Sequence, residues 1–123
     1  MNKIKSLKTG FGWIDVNNKR YDYDIILNSK GYIEQRNKSL SEPLTAEYGH
    51  TPLSNKELLL YLDGKEFDII YIGNGQSGAM PITKEAEQML SKCKTVVIKP
   101  TSQILQDILK EKRKYVAILH TTC

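Results

Sequence analysis

Polar and apolar residues alternate over the first third of the chain. Tyr21, Tyr23 and Ile25 alternate with Asp22, Asp24 and Ile26, a period of two that predicts a strand with one wet face. On this reading Asp22 and Asp24 belong to the solvated side. Phe11 to Val16 and Arg20 to Leu27 flank Asn17-Asn18-Lys19, and asparagine tolerates the positive φ that a hairpin turn needs. Asn28 to Gly31 reads as a second turn, and Tyr32-Ile33 starts a short strand. Asn37 to Pro52 is polar and is broken by Pro43 and Pro52. A connection of that length implies mobility or a covering role.

From residue 54 the period changes. Ser54-Asn55-Lys56-Glu57 has the form of a capping box and opens a helix that runs to about Leu62 and stops at Asp63-Gly64. Phe67 to Ile72 reads as a buried strand, and Gly73-Asn74-Gly75-Gln76-Ser77-Gly78 as a glycine-rich loop. Thr83 caps a second helix, with Ala86, Met89, Leu90 and Cys93 on one face. Thr95 to Ile98 is another short strand. Pro100-Thr101 opens a third helix with Ile104, Leu105, Ile108 and Leu109 inward, and Tyr115 to Leu119 is the last strand. The order is an N-terminal antiparallel hairpin followed by α-β-α-β-α-β. Strands joined through a helix run parallel with right-handed crossovers, so the expected fold is α/β with a mixed sheet, one domain over residues 1–123.

Composition agrees with a folded domain. Of 123 residues 40% are hydrophobic and 26% charged, which argues against disorder, collagen-like repeats and a disulfide mini-scaffold. Eighteen basic and 14 acidic residues leave a net charge of +4, a mild excess. No apolar run approaches the roughly 20 residues of a membrane span. Met1 to Lys8 alternates lysine with apolar residues and lacks a signal-peptide core. Cys93 and Cys123 form no framework, so both are expected as reduced thiols in a cytoplasmic protein.

The topology locates a candidate site. The strand ends at Gly73, Lys99-Pro100 and His120 share one edge with the helix starts at His50 to Ser54, Ile82-Thr83 and Thr101-Ser102. Ligands of open α/β sheets bind at such an edge. It should therefore gather His50, Gly73, Asn74, Gly75, Gln76, Thr101, His120 and Cys123 as ligand-binding candidates. The glycine loop could turn its N–H groups toward an anion or a carbonyl, or it could be a tight turn that needs small residues. Gly73, Gly75 and Gly78 match Gly-x-Gly-x-x-Gly, but Pro81 and Thr83 separate them from the helix. Ile98-Lys99 also stands where a dinucleotide site needs an acid. No Lys-Ser or Lys-Thr follows, which excludes a Walker loop. His120 and Cys123 could share a metal with His50, form an activated thiol, or cap the chain end; the last reading is the simplest, because no Cys-x-x-Cys accompanies them. Lys110 to Lys114, interrupted by Glu111, suits a helix C-terminus, whereas nucleic acid would need a broader patch. Nothing in the chain calls for a cofactor, a metal or a membrane.

Several segments together carry a resemblance. They are Gly49-His50-Thr51-Pro52, the run Ile70 to Ala79 with its glycine loop, Pro100-Thr101, and the ending Val116 to Cys123, with Gly12-Trp13 near the start. The chain resembles the Mth-type domain family, which includes an adipogenesis-associated protein and, more distantly, a mitochondrial complex I assembly factor. The resemblance implies a three-layer α/β fold and no defined activity. The third helix departs from the family pattern: Ile104 stands near an alanine position and Gln106-Asp107 near an asparagine. Two functions are compatible with these features. The leading one is a protein-binding or assembly module. The alternative is an anionic-ligand-binding protein or enzyme at the strand-end crevice, with His120, His50 or Cys123 moving protons or attacking.

Overall fold

In the computed structural model, which describes residues 2–123, Leu7–Gly10 (β1), Trp13–Val16 (β2) and Lys19–Tyr21 (β3) form an antiparallel three-stranded sheet. Met1, the first residue of the alternating N-terminal stretch, lies outside the described residues. Asn17 and Asn18 take positive φ, 50° and 71°, and reverse the chain between β2 and β3. The stretch expected as one strand from Arg20 to Leu27 is two. It leaves the small sheet after Tyr21 and enters a second sheet as Ile25–Asn28 (β4). The reason is burial: Ile25, Ile26 and Leu27 are all inside, so both faces of this strand are covered, whereas Lys19 and Arg20 are exposed. One ribbon with one wet face cannot satisfy both segments. The hairpin thus forms its own sheet rather than adding strands to the parallel one.

Ile33–Gln35 (β5) pairs antiparallel with β4. Two 3₁₀ turns, Lys38–Leu40 and Glu42–Leu44, lead to a single helical turn, Thr45–Tyr48 (α1). Then follow Asn55–Leu62 (α2), Ile69–Asn74 (β6), Lys84–Leu90 (α3), Val96–Lys99 (β7), Thr101–Lys110 (α4) and Tyr115–His120 (β8). The larger sheet has the order β5-β4-β8-β6-β7. β8 runs parallel to β6, which runs parallel to β7, and antiparallel to β4.

Alternation along these strands sorts the core into two halves. Ile25, Leu27, Ile69, Tyr71, Tyr115, Ala117 and Leu119 face α4 (Ile104, Leu105, Ile108) and the small sheet (Leu7, Ile14, Val16). Ile26, Ile70, Ile72, Val116 and Ile118 face α2 (Leu58, Tyr61) and α3 (Ala86, Leu90). The layers are therefore α2–α3, the mixed sheet, and α4 with the small sheet. Cys93 lies three residues beyond the end of α3 but still packs against the second core.

Candidate functional site

The register sets a polar row at the carboxyl ends of the parallel strands. Ile25 pairs with Leu119 on one side and Gln35 on the other, so one residue earlier Asp24 faces His120 and Arg36. His120 in turn pairs with Asn74. Asp24 shares the parity of Ile26, and His120 that of Ile118, so the row lies on the α2–α3 face. Asp24 is 2% exposed and not on a solvated face, as the alternation had implied; Asp22 is exposed. Asp24 Oδ2 lies 2.6 Å from His120 Nδ1 and accepts from Arg36 Nη1 at 3.0 Å, while Oδ1 accepts from Thr121 N and Oγ1 at 2.8 and 3.0 Å. Burial alone would raise the Asp24 pKa. The hydrogen bond and charge of His120, the Thr121 N–H and Lys38 overcome it and hold the carboxyl below the usual range.

Arg36 joins this row to α2. Its five N–H donors all find acceptors: Nε and Nη2 bond both oxygens of Glu57 at 2.5 and 2.9 Å, Nη2 also bonds Pro52 O, and Nη1 meets Asp24 and Met80 Sδ. Glu57, fully buried, also accepts from Ser41 Oγ at 2.6 Å and Tyr61 Oη at 2.6 Å. Half of the expected capping box forms. Ser54 Oγ accepts from Glu57 N, but the Glu57 carboxylate turns to Arg36, and Ser41 Oγ serves Ser54 N instead. Residues 37–52 thus have the covering role: Ser41 is 0% exposed and the segment closes over the ion cluster. Arg36, Ser41, Glu57 and Tyr61 are not among the site residues expected from the sequence. The available signal was the i, i+4 pair Glu57–Tyr61 on the face of α2 that carries Leu58.

The glycine loop faces the chain's own last residues. All six N–H groups from Gly75 to Met80 are engaged. Gly75 N donates to Thr101 Oγ1, Gln76 N to Thr122 O, Ser77 N and Ala79 N to the main-chain oxygen of Cys123, Gly78 N to Gly75 O, and Met80 N to Asn74 O. The Ser77 hydroxyl also donates to that Cys123 oxygen. Glycine is needed at two places for packing. A Cβ on Gly73 would lie 2.8 Å from Thr101 Oγ1, and Gly75 has φ +108° with Thr122 O 2.6 Å from where its Cβ would be.

Thr101, fully buried, links three elements. Its hydroxyl donates to His120 O at 2.6 Å and accepts from Gly75 N at 2.9 Å. Gln76 Nε2 reaches Thr9 Oγ1, Gly10 O and Thr121 O, tying the hairpin to the same rim. Gly73, Asn74, Gly75, Gln76, Thr101, His120 and Cys123 are therefore contiguous at one edge. His50 is exposed, and none of the hydrogen bonds of this cluster reaches it. Two further details mark the rim. His120 Nε2 lies 3.3 Å from Thr122 Oγ1, and the buried Asn74 Oδ1 has no hydrogen-bond partner. Among the described residues no group of three His, Cys, Asp or Glu side chains is placed to hold a metal, and no helix is long and apolar enough to cross a membrane. A cavity of about 350 Å³ lies at the opposite edge of the sheet, between Asn28, Lys30, Tyr32, Lys65 and Tyr115.

No family model matches the chain, and no curated protein matches it. Solved structures do. The conserved hypothetical protein PH1505 from Pyrococcus horikoshii OT3 is 31% identical, with 98% of this chain and 99% of that one covered at a TM-score of 0.81. MT938 is 23% identical, covering 98% and 100% at 0.77. A Mth938-like domain from Bordetella pertussis is 17% identical, covering 95% and 85% at 0.51. At those lower identities the likeness is one of fold. The chain belongs to the same family as PH1505, and its fold is that of the Mth938-like domain.

Proposed function

We propose that this chain is a cytoplasmic protein-binding or assembly module. The main support is the closure of the carboxyl rim: the loop N–H groups that would hold an anion are all engaged within the chain, those of Gln76, Ser77 and Ala79 by Thr122 and Cys123. What the molecule turns outward is apolar helix and strand surface instead, with Leu59 and Leu60 of α2 about half exposed and Ile98 of β7 42% exposed. Resemblance to a family that contains an assembly factor points the same way, by analogy. A photo-crosslinking amino acid at positions 59, 60 and 98, introduced in the native host, tests the reading. A discrete, saturable protein adduct from at least one position is expected. Folded variants that yield no adduct from any of the three positions would overturn it.

One contact favours a second reading, chemistry at the rim. His120 stands between the Asp24 carboxylate and the Thr122 hydroxyl, 2.6 and 3.3 Å away, an order of groups that activates a hydroxyl nucleophile. Thr122 Oγ would attack an ester carbonyl while its proton passes to His120 Nε2. The leaving alcohol then takes that proton, and an acyl-threonine remains. Intact-mass measurement after exposure to an aryl acetate decides it: an acetyl group on Thr122, lost in Thr122→Ala and His120→Gln, is expected. An unmodified Thr122 removes this reading.

A further inference from the structure

We propose that the free edge of β7 receives an extended acidic segment of a partner protein as an added strand, a proposal that rests on the protein-binding reading above. β7 is the outermost strand of its sheet and pairs on one side, with β6. Ile70 N donates to Thr95 O at 3.0 Å, and Ile70 and Ile72 stand in register with Val96 and Ile98. In a parallel ladder this turns the backbone groups of Thr95, Val97 and Lys99 toward β6, and those of Val96 and Ile98 outward. Thr95-Val96-Val97-Ile98 is β-branched throughout and holds no proline, so the edge is ready to pair.

Charge selects the partner. Residues 92–114 hold seven lysines and arginines and two acids, a net +5, while the whole chain carries +4. The rest of the molecule is therefore slightly acidic, and the basic excess is concentrated around β7 and α4. Both acids of this region already have partners, Asp107 with Lys99 at 2.8 Å and Glu111 with Arg113 at 3.0 Å. A shallow groove of about 520 Å³ runs beside the strand, lined by Tyr71 and Val97, by the pairs Lys99–Asp107 and Arg113–Glu111, and by Lys110, which has no ion-pair partner among the described residues. An incoming strand that alternates apolar with acidic residues would place the first on the face of Val96 and Ile98, and the second on the opposite face, which carries Val97, Lys99 and Lys110. A second copy of β7 fits worse, because Lys94 and Lys99 bracket the strand and antiparallel pairing would crowd lysines of both copies at its two ends. Single-stranded nucleic acid fits worse too: the exposed aromatic residues on which bases would stack, Phe11, Tyr23 and Tyr32, lie outside residues 92–114.

The test uses a short fluorescein-labelled peptide alternating glutamate with valine, followed by anisotropy and by amide exchange. Ile98→Pro removes an outward N–H and leaves the ladder to β6 intact, whereas Ile98→Thr keeps both. Binding to wild type and Ile98→Thr is expected, weakened by salt, with protection of the Val96 and Ile98 amides and at least about tenfold weaker binding to Ile98→Pro. If Ile98→Pro fails to fold, amide protection in the wild type decides alone. Equal binding of a lysine–valine peptide, displacement by an equal concentration of oligouridylate, or a β7-mediated dimer abolished by Ile98→Pro would each overturn the proposal. If the peptide fails while positions 59 and 60 still crosslink a discrete protein, strand addition is wrong and the module reading stands. If both fail, both readings fall.

Discussion

Asp24 and His120 meet across two strands that run in opposite directions, Oδ2 to Nδ1 at 2.6 Å, and Arg36 approaches the same oxygen from the other side at 3.0 Å. A carboxylate bridging three neighbouring strands fastens β5, β4 and β8 at one end. Arg36→Met should show how much this matters. It leaves the fully buried Glu57 without its guanidinium and Asp24 with one cation fewer. Breaking a buried pair from one side costs about 3–5 kcal/mol, because the remaining charge stays desolvated. Urea unfolding is expected to report a loss of that size, partly restored when Glu57→Gln is added. A single variant within about 1 kcal/mol of wild type would mean the cluster contributes no more than a surface pair.

Thr101 is a second fastening point. Thr101→Val keeps the shape but strands the Gly75 N–H and one acceptor site on the His120 carbonyl, both now bonded to its hydroxyl. An unsatisfied buried group costs about 1–3 kcal/mol. Thermal unfolding should place Thr101→Val clearly below wild type, with Thr101→Ser close to wild type. Equal melting of the valine and serine variants would contradict this.

How much of this was legible beforehand depends on the range of the interaction. The helix starts at Ser54 and Thr83 are local, and the structure keeps both, each hydroxyl accepting an N–H three residues on. The shared edge of Gly73, Thr101 and His120 followed from the parallel direction of strands joined through a helix, which needs no contact information. Asp24 could not be placed that way. Its neighbours alternate as a wet strand would, and its burial comes from Arg36 and His120, 12 and 96 residues away. The small sheet was half visible: Asn17-Asn18 announced the turn, but β1 holds one buried residue, Leu7, among Lys8 and Thr9, too little for a period to show.

Gly75→Ala tests the glycine loop. Its φ of +108° is a conformation that L side chains rarely adopt, and a Cβ there would meet the backbone of Thr122 and Cys123. Such a backbone position alone is worth about 1–3 kcal/mol. The segment 121–123 should be pushed from the loop, and its amide exchange should rise together with that of Gln76 and Ser77. Unchanged exchange at the C-terminal residues would show that the loop needs no glycine at this position.

Stability in acid turns on Glu111, which sits far from the rim. The Arg113 guanidinium bonds its carboxylate, Tyr71 Oη adds a second bond, and together they outweigh partial burial and hold its pKa at about 2 instead of 4.5. Because the folded state binds this proton less readily than the unfolded chain, the contribution is fully present above about pH 4.5 and fades as pH falls toward about 2. Glu111→Gln removes the titrating group and keeps the side-chain size. The difference in unfolding free energy between wild type and this variant should therefore be largest near neutrality and shrink steadily through that acid window. Asp24 is shifted in the same direction, so the wild type alone would show a steeper acid loss than one group explains. Comparing the two proteins isolates Glu111, since Asp24 titrates identically in both. A gap that stays constant down to about pH 2 would show that Glu111 acts through packing or neutral hydrogen bonds and not through its charge.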